Sequence, residues 1–439
     1  MPLRSRGGLH CAMPAHIGRA AALEEWLHEI KHDGFRVIAR RSADRVKLYS
    51  WPGIRPTVRG ENPRSLPLGQ SIQNPTRPTK GANAMPKVQA DRLEDIGRAL
   101  FVAAGAPEAE ANLVMHHIVG ANLVGHDSHG IIQVPTYIDR IKAGHIVPGA
   151  PWVIVKESPT TTVVDGHWGF GYVANERAMR LTIEKAEKSN VAAATVFRQG
   201  HIGRLSSYTQ MAAQAAMIGL ITADSGRSPK AVAPFGGREA RLGTNPISMA
   251  IPSDLEGPLY LDMATSAAAA GKIALAVARH ETVPDGWVIG ADGKPTNDPR
   301  QLRQGGALLP LGGPDGGYKG TGLAVMVEIL CGLLTGLGFG VEPTGRHNDS
   351  CFMAVFKVDA FRPLAEFKKD VGDFIRYLKD TPPAEGSSGV MYPGEIEHKR
   401  ELDRRANGIE VEPATWYKLR TLADEFGLSD RLGLTGEVE

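Results

Sequence analysis

The segment TTVVDGHWGFGYVANERAMRLTIEKAEKSNVAAATVF, residues 161–197, contains the clearest fold signal in the chain. It begins with the β-branched run Thr161–Val164, continues with an amphipathic segment from Ala174 to Asn190, and ends with the apolar run Val191–Phe197. Short β-branched and apolar runs predict strands, and apolar residues at helical spacing predict a helix between them. Strand–helix–strand order is typical of α/β proteins.

Helices and strands also alternate on both sides of this unit. Towards the N-terminus, a capping box at Asp91–Glu94 predicts one helix, and a second is predicted from Pro107 to Val124. Towards the C-terminus the same patterns predict, in chain order, a helix over Leu205–Met217, strands over Gly219–Ala223, Pro246–Ile251 and Pro258–Met263, and helices over Ser266–Arg279, Thr321–Leu337 and Pro413–Gly427.

Residues 1–84 differ from the rest of the chain in charge and composition. They hold 14 of the 50 basic and 6 of the 48 acidic residues, so their balance is +8 and that of the remainder is −6. A helix-like stretch, Ile17–Lys31, is followed after Ser50 by a Pro- and Arg-rich run with too little apolar surface to offset its ordering entropy. Three interpretations stay open: a poorly ordered tail, translation starting upstream of a natural start at Met85, or a targeting or nucleic-acid arm.

Charge and cysteine content exclude several classes of protein. The net charge of +2 gives no general electrostatic reason to expect a nucleic-acid partner. Cys11, Cys331 and Cys351 are too few for a disulfide framework and fit no zinc-ligand spacing, so we expect a reducing compartment and no metal.

The sequence predicts neither a membrane span nor a secretory signal. The most apolar stretch, Thr321–Leu337, contains Glu328 and several glycines, which indicates a buried core helix. No apolar run of signal-peptide length follows Arg4 and Arg6. We therefore expect a cytoplasmic protein without a membrane partner.

Two loop-like runs place histidines beside glycines. GHDSHG, residues 125–130, follows a predicted helix and combines two histidines with a carboxylate and a hydroxyl. GHIGR, residues 200–204, follows a predicted strand, where α/β proteins commonly bind ligands. Histidine titrates near neutral pH and suits proton transfer, although either run can equally be a structural loop that caps a helix.

The run GFGYVA, residues 169–174, has the GxGxxA form of a dinucleotide-binding turn between a strand and a helix. The acidic residue expected at the end of the following strand is replaced by Arg198, which would suit a 2′-phosphate. A purely structural strand–helix turn is the alternative.

Two further glycine- and hydroxyl-containing regions are candidates for binding an anion. LGTNP, residues 242–246, is followed by DMATS, residues 262–266, whose last two hydroxyls could join helix-start amides in a phosphate cradle. GGYKG, residues 316–320, precedes the Thr321–Leu337 helix and offers a lysine, but lacks P-loop spacing. Ordinary helix caps are the alternative in both places.

Taken in chain order, eight runs resemble the malate/L-lactate dehydrogenase family of the non-Rossmann type, which includes ureidoglycolate, sulfolactate and diketogulonate dehydrogenases. The resemblance extends from about Met85 to about Leu432 and leaves residues 1–84 outside. The runs are GHDSHG (125–130), GHIG (200–203), VAPFGGRE (232–239), LGTNP (242–246), LDMATS (261–266), DGKPTNDP (292–299), GYKG (317–320) and PGE (393–395).

This resemblance implies an α/β fold with a three-layer mixed β-sheet and helical N- and C-terminal segments, rather than a doubly wound Rossmann sheet. It makes GFGYVA a structural turn and implies a homodimer or higher homo-oligomer with its active site near a subunit interface. The expected segments are a basic extension (1–84), a helical segment carrying the catalytic loop (85–160), a cofactor-binding α/β region (161–345), and a C-terminal segment packing on the substrate side (346–439).

The resemblance also implies hydride transfer between NAD or NADP and a 2-oxo or 2-hydroxy acid. Its catalytic histidine corresponds to His129 and the carboxylate partner to Asp262. An imidazolium held by a carboxylate can deliver a proton to a forming alkoxide at neutral pH. The cofactor-binding residues it implies are Thr244, Asn245, Asp262, Met263, Ala264, Thr265, Ser266, Lys319, Gly320, Gly394 and Glu395.

The expected substrate contacts are Ser128, Gln133, His201 and Arg204. Many family members carry an arginine four residues after the catalytic histidine, where this chain has Gln133, and Thr136 replaces another frequent arginine. We hypothesise that Arg204 supplies the missing carboxylate anchor from another direction. The pattern is similar to the hydroxycarboxylate dehydrogenase subgroup, which accepts bulkier side chains, and it leaves the substrate and the choice of NAD or NADP open.

Two alternatives accompany this prediction. One is an NAD(P)H-dependent reductase of cyclic imino acids, a chemistry found in the same family that shares every motif. The other is nucleic-acid binding through the basic residues 1–84, which predicts salt-dependent binding that deletion of this segment abolishes.

Overall fold

The chain divides into two compact units, residues 1–76 and 77–439, in a computed structural model. The structure describes residues 27–32, 35–42, 45–50, 85–224, 230–341, 346 and 348–434. The division into segments at 84, 160 and 345 stays a prediction.

In the first unit, the backbone forms a three-stranded antiparallel sheet. Its strands are β1 (Leu27–His32), β2 (Phe35–Ser42) and β3 (Arg45–Ser50), with β2 in the middle. The helix predicted over Ile17–Lys31 is therefore wrong from Leu27 onward, because these residues pair with β2. The Asp33-Gly34 dipeptide between the two runs is a typical hairpin signal that a helical interpretation overlooks. The rest of that helix and the run after Ser50 lie outside the described residues.

The second unit interleaves helices with strands. Its strands are β4 (Lys87–Val88), β5 (Val153–Glu157), β6 (Thr161–Asp165), β7 (Val191–Phe197), β8 (Met217–Asp224), β9 (Ile247–Ile251), β10 (Leu259–Met263), β11 (Val288–Ile289), β12 (Pro295–Thr296), β13 (Ala307–Leu308), β14 (Ser350–Lys357) and β15 (Ile409–Glu410). Its helices are α1 (Ala90–Ala103), α2 (Glu108–Leu123), α3 (Gln133–Lys142), α4 (Gly171–Ser189), α5 (Ser206–Gln214), α6 (Ala270–Arg279), α7 (Gly313–Glu328), α8 (Leu364–Lys379), α9 (Glu395–Asn407) and α10 (Pro413–Glu425).

A seven-stranded mixed sheet forms the centre of this unit, in the order β10-β9-β8-β14-β7-β6-β5. Only the β6–β7 pair of this sheet is parallel, and α4 makes the crossover between them. The strand–helix–strand unit of residues 161–197 is therefore present, and β7 has the predicted bounds. The mixed α/β fold is confirmed, and this strand order differs from a doubly wound Rossmann sheet.

Two apolar clusters hold the layers together. One joins α1, α2 and α3 to α10, with side chains such as Leu100, Ile118 and Leu419 fully buried. The other packs α4 and α5 on the central strands through residues such as Met179 and Met353. Burying each such side chain contributes roughly 1.5–3 kcal/mol, so these clusters fix the helices that carry the site.

Several helix ends differ from the sequence predictions. Helix α1 begins at Ala90 with Gln89 as its N-cap and without a side-chain capping bond, so the capping box at Asp91 is wrong. Helix α5 ends at Gln214, because Met217 already pairs in β8. Helix α6 begins at Ala270 rather than at Ser266, because residues 265–267 make hydrogen bonds outside a helix.

The apolar stretch Thr321–Leu337 belongs to a longer helix. Helix α7 already begins at Gly313, continues into a π-helical turn at Ile329–Leu333, and exposes Met326 and Leu334 by 58% and 60%. The prediction of a buried core helix is therefore wrong, since one side of it lacks cover in a single chain. Within the described ranges, no helix combines the length and apolar character needed to cross a membrane.

Candidate active site

The GHDSHG run forms a short helical turn between α2 and α3, and Asn122 in the last turn of α2 fixes its shape. The Asn122 Nδ2 donates to Asp127 Oδ1 at 2.7 Å, and its Oδ1 accepts from the Ile131 N–H at 2.7 Å. A Cβ at Gly130 would collide with the Asn122 amide, so this position requires glycine. The side chains of Ser128 and His129 are thereby held between two anchored residues.

Helix α9 holds the same turn from the other side. The Arg404 guanidinium donates two hydrogen bonds to the Asp127 carboxylate, at 2.7 and 3.0 Å, and another to the Asn122 carbonyl. His126 Nε2 lies 3.7 Å from a Glu397 carboxylate oxygen on the same helix. Asp127 thus has a structural role in the GHDSHG run. His129 is the titratable group of this run that remains available for chemistry.

His129 lies partly buried between Ser128 and His201. Ser128 Oγ is 3.1 Å from its Nδ1, and its ring stacks on the His201 ring at 5.5 Å with 17° between the planes. Burial lowers the pKa of His129, while the carboxylates of Asp262 and Asp349 oppose that effect and raise it. Burial is the larger effect, so the neutral form of the imidazole is favoured.

Asp262 occupies the next-to-last position of the edge strand β10. Its Oδ2 accepts a hydrogen bond of 2.8 Å from the backbone N–H of Ser206, the first residue of α5. The helix N-terminus stabilises the carboxylate, which acts on His129 electrostatically. The structure thus places Asp262 within electrostatic range of His129, and the catalytic roles that the resemblance implied for the two residues stay a prediction.

His201 is oriented by a string of buried hydroxyls. Its Nδ1 lies 2.5 Å from the Tyr137 hydroxyl, which is 3.2 Å from the Tyr172 hydroxyl, and its Nε2 lies 4.0 Å from Asp349 Oδ2. Burial raises the pKa of Tyr137 and of Tyr172, so both stay protonated and can donate. This string fixes the ring that stacks on His129.

The GFGYVA run supports this arrangement instead of forming a dinucleotide turn. Gly171 opens α4 with no room for a Cβ, because the carbonyls of Gly200 and His201 lie against it. The run therefore positions the GHIGR loop, as a structural strand–helix turn would.

Arg204 presents a charged group towards the histidines. Its Nε donates to Ser207 Oγ at 2.9 Å, whereas its Nη1 is buried and has no hydrogen-bond partner among the described residues. Its positive charge lowers the pKa of His129 and of Tyr172. A cation with one unused donor is therefore available next to the catalytic pair.

Gln133 is close to the site but braces the loop. Its Nε2 donates to the Ser128 carbonyl at 2.7 Å. Ser128 in turn packs against α6, since a Cβ at Gly271 would lie 2.6 Å from the Ser128 Cβ. A substrate contact by Gln133 stays a prediction, with one of its two amide N–H groups already used.

The LGTNP and LDMATS runs lie together because their side chains bond backbone groups. Thr265 Oγ1 donates to the carbonyls of Thr244 and Asn245 at 3.1 and 2.9 Å, and Ser266 Oγ donates to the Ala268 carbonyl at 2.8 Å. The expected phosphate cradle from these two hydroxyls is therefore not formed: both donors are committed and the helix begins four residues later. Cofactor contact by this segment stays a prediction.

The next residues predicted to bind the cofactor lie at the end of β10 and within α7. Met263 ends β10 and Ala264 follows it, both partly exposed. Lys319 is exposed inside α7, not at its start, and Gly320 packs on the Leu311 backbone. The anion site expected at a helix start is therefore not present at the GYKG run.

The PGE run leads into α9, with Gly394 as its N-cap and Glu395 as its first residue. Gly394 packs on the Pro258 carbonyl, and the Glu395 carboxylate binds Lys379 at 2.6 and 2.7 Å and Lys399 at 2.8 Å. Although burial opposes it, these hydrogen bonds lower the pKa of Glu395 to about 2. A direct cofactor contact by Glu395 stays a prediction, because its oxygens already have partners.

Sequence reasoning missed Asn122, Arg404, Tyr137, Ser206 and Tyr260. Arg404, Tyr137 and Ser206 act through contacts between residues far apart in the chain, which no local pattern reveals, whereas Asn122 bonds residues five and nine positions later. Tyr260 did carry a signal, because it precedes Asp262 by two residues in a predicted strand and so shares its face.

Comparison with known proteins shows the family of this chain. The family model described as malate/L-lactate dehydrogenase matches residues 88–420. An L-sulfolactate dehydrogenase from Methanocaldococcus jannaschii is 36% identical over 331 residues, which are 74% of this chain and 93% of the relative. Hydroxycarboxylate dehydrogenase B from Escherichia coli is 32% identical, over 78% of this chain and 95% of that relative.

Solved structures show the same likeness. A malate dehydrogenase from Entamoeba histolytica matches with a TM-score of 0.75 and 34% identity, over 78% of this chain and 98% of that one. A delta1-piperideine-2-carboxylate reductase from Pseudomonas syringae matches with a TM-score of 0.69 and 28% identity, over 77% of this chain and all of that one. With its catalytic-loop geometry and these matches, the chain belongs to the malate/L-lactate dehydrogenase family.

Proposed function

We propose that this chain transfers a hydride between NAD(P)H and a 2-oxo acid, in either direction, with His129 as general acid/base. The hydroxy acid dehydrogenase type follows from the family, and the residue roles are the proposal. The observation that carries it is His129 itself: a histidine anchored in a rigid turn, stacked on His201, and in the field of both Asp262 and Arg204.

In the reduction, protonated His129 donates its proton to the substrate oxygen as the C=O bond becomes C–OH. Asp262 stabilises the imidazolium before the transfer, and Ser128 holds the ring through Nδ1. General acid assistance of this kind contributes roughly 100- to 10,000-fold in rate. In the oxidation, neutral His129 takes the proton back.

Arg204 anchors the substrate carboxylate through its unused Nη1 donor. A charge-assisted hydrogen bond from a guanidinium suits a carboxylate better than a neutral amide would. This assignment replaces the arginine that many family members carry at the position of Gln133.

When bound, NADH or NADPH would supply the hydride in the reduction, and NAD⁺ or NADP⁺ would accept it in the oxidation. We place the anionic diphosphate of the cofactor at the first turn of α6, because the main-chain N–H groups of Ala270 and Gly271 have no partners within the helix and Lys272 adds a positive charge. Gly271 places this turn against Ser128, beside the catalytic loop. In this proposal the backbones of residues 244–245, 262–266, 319–320 and 394–395 line the cofactor.

We further propose a cytoplasmic homodimer. The described cysteines, Cys331 and Cys351, are buried free thiols, as is usual in a reducing compartment. The exposed apolar residues of α7 lie on one helix and are not scattered singly over the surface. This favours a second copy of the chain as the partner that covers them.

Reduction of a cyclic imino acid is the second candidate, favoured by the likeness to the Pseudomonas syringae reductase. The same histidine could protonate a nitrogen instead of an oxygen. Nucleic-acid binding by residues 1–84 stays a prediction, since only strand backbones of that segment are described.

Initial rates on a panel of 2-oxo acids and cyclic imines, each with NADH and with NADPH, test the proposed function. We expect turnover of at least one 2-oxo acid with a higher kcat/KM than any cyclic imine. Turnover of imines alone would favour the second candidate, and turnover of neither class would refute the proposal.

A further inference from the structure

Three buried polar atoms without a hydrogen-bond partner in the described structure lie around Asp262. They are Arg204 Nη1, Ser206 Oγ and Tyr260 Oη. Ser206 is fully buried and Tyr260 is 4% exposed. Buried polar atoms normally have partners, since leaving them without one is costly, so three in one neighbourhood point to a partner that is not part of the protein.

The backbone explains why these atoms share one place. Ser206 binds Asp262 through its N–H and stands two residues after Arg204. Tyr260 stands two residues before Asp262 on β10, so both side chains leave the same face of the strand. The charges of Arg204 and Asp262 both act on the pKa of Tyr260, as expected for a hydroxyl near both groups.

The tyrosine ring itself is firmly held. Its backbone N–H donates to the Pro393 carbonyl at 3.1 Å, and the space beside Gly394 is filled by the ring. The hydroxyl therefore has little freedom to turn towards bulk solvent. A hydroxyl without a hydrogen-bond partner, on a ring that cannot turn, is a donor that is already positioned for a ligand.

The chemistry of the three atoms suits a carboxylate. Arg204 contributes a positive charge and one N–H, and the two hydroxyls donate neutral hydrogen bonds to the remaining lone pairs. The carboxylates of Asp262 and of Glu397 in α9 also act on Tyr260, so we expect the bound anion to pair with Arg204, whose positive charge offsets them.

We propose that Ser206 and Tyr260 complete, with Arg204, the pocket that binds the carboxylate of the substrate. This inference rests on the proposed function, because it assigns contacts to the carboxylate bonded to the carbon that accepts the hydride. It adds two residues that neither the sequence motifs nor the family resemblance singled out.

Tyr260→Phe and Ser206→Ala test the pocket, with Tyr417→Phe on the exposed side of α10 as the matched control. The readouts are steady-state kinetics with the best wild-type 2-oxo acid and thermal unfolding. For Tyr260→Phe we expect a KM for the 2-oxo acid raised roughly 10- to 100-fold, as for loss of a hydrogen bond to a charged group, and a kcat within about threefold. The KM for the cofactor stays unchanged, and so do all parameters of Tyr417→Phe.

The thermal midpoint of Tyr260→Phe should not fall, because the hydroxyl has no protein partner to lose. A merely structural hydroxyl would lower that midpoint and leave KM alone, which would overturn the inference. An unchanged substrate KM, or a raised cofactor KM instead, would also overturn it.

Oxamate, a non-reducible monocarboxylate, separates this inference from the proposed function. We expect oxamate to raise the thermal midpoint of the wild type with cofactor present, and to do so less for Tyr260→Phe and Ser206→Ala. Wild type that binds oxamate in this way without reducing any 2-oxo acid would refute the proposed function and keep the pocket. Equal stabilisation of wild type and both variants would refute the pocket alone.

Discussion

The protonation of His129 reflects two opposing effects at the scale of single residues. Burial favours the neutral imidazole and lowers its pKa, and the carboxylates of Asp262 and Asp349 favour the charged form. Burial prevails, so the pKa lies below the ordinary value of 6.5. The resting enzyme at neutral pH therefore holds a neutral base, ready for the oxidation direction.

We predict a corresponding pH profile for oxidation of a 2-hydroxy acid. Because neutral His129 is the active form, kcat/KM should rise with pH through a midpoint below 6.5 and reach a plateau by about pH 7. Asp262→Asn removes a charge that raises this pKa, so its midpoint should move lower still. A midpoint that moves upward in the variant would contradict the assigned pairing.

The anchoring role of Arg204 predicts a different kinetic signature. Arg204→Ala should raise the KM for 2-oxo acids strongly, because losing one partner of a buried charged contact costs about 2–5 kcal/mol. Arg204→Lys should recover part of the loss, since it restores the charge but not the planar donor group. Steady-state kinetics with an unchanged KM and kcat in Arg204→Ala would end this assignment.

At the residue scale, the sequence motifs predicted His129, Asp262, His201 and Arg204, and the structure brings these four together. Each lies in a short run whose residues are adjacent in the chain. Tyr260 and its partners could not be found in this way, because an unsatisfied hydroxyl becomes visible only when β10, α5 and α9 are packed together.

At the scale of elements, the catalytic turn depends on two helices that are distant in the chain. Asn122 of α2 and Arg404 of α9 share Asp127 as a hydrogen-bond partner. This shared anchor ties the C-terminal region to the loop that carries His129. Rigid elements on both sides hold catalytic side chains more accurately than a free loop could.

Asn122→Ala should therefore weaken both stability and catalysis. It leaves the buried Ile131 N–H without its acceptor, which costs about 1–3 kcal/mol in the free energy of unfolding. The measurement is urea unfolding together with kcat, and Asn407→Ala, an exposed asparagine at the end of α9, serves as the control. Equal unfolding free energies for the two variants would show that Asn122 does not anchor the turn.

Elements with a clear local pattern were predictable, and elements fixed by tertiary pairing were not. Val191–Phe197 is an uninterrupted apolar run and has the predicted bounds, whereas the strand Ser350–Lys357 in the middle of the sheet was missed. Helix α9 has few apolar residues, and ion pairs such as Glu395 with Lys379 hold it instead. The helix start at Ala270 follows from backbone hydrogen bonds of residues 265–267, which propensity does not encode.

At the scale of the whole molecule, the uncovered apolar side of α7 has the largest consequence. The sequence predicted a buried helix there because its composition is apolar, and a single chain leaves Met326 and Leu334 exposed. A helix that is buried in the protein yet exposed in a single chain is expected if a second copy of the chain covers this side. The mixed α/β fold itself was predictable, because the family motifs extend along most of the chain.

Met326→Asp should separate a homodimer into monomers, since burying an unpaired carboxylate at an interface costs several kcal/mol. Sedimentation of wild type and variant measures the change, and Tyr417→Asp on α10 is the control for a charge added at another exposed position. A monomeric wild type, or a variant that stays dimeric, would contradict α7 as the dimer surface.

The role of His129 is best measured by the kcat of His129→Ala in reduction of the preferred 2-oxo acid. His116→Ala is the control, an exposed histidine on α2 at 78% side-chain exposure. For His129→Ala we predict a kcat lowered roughly 100- to 10,000-fold with an unchanged thermal midpoint. For His116→Ala we predict normal activity. A His129→Ala enzyme that keeps wild-type turnover would contradict His129 as the general acid/base.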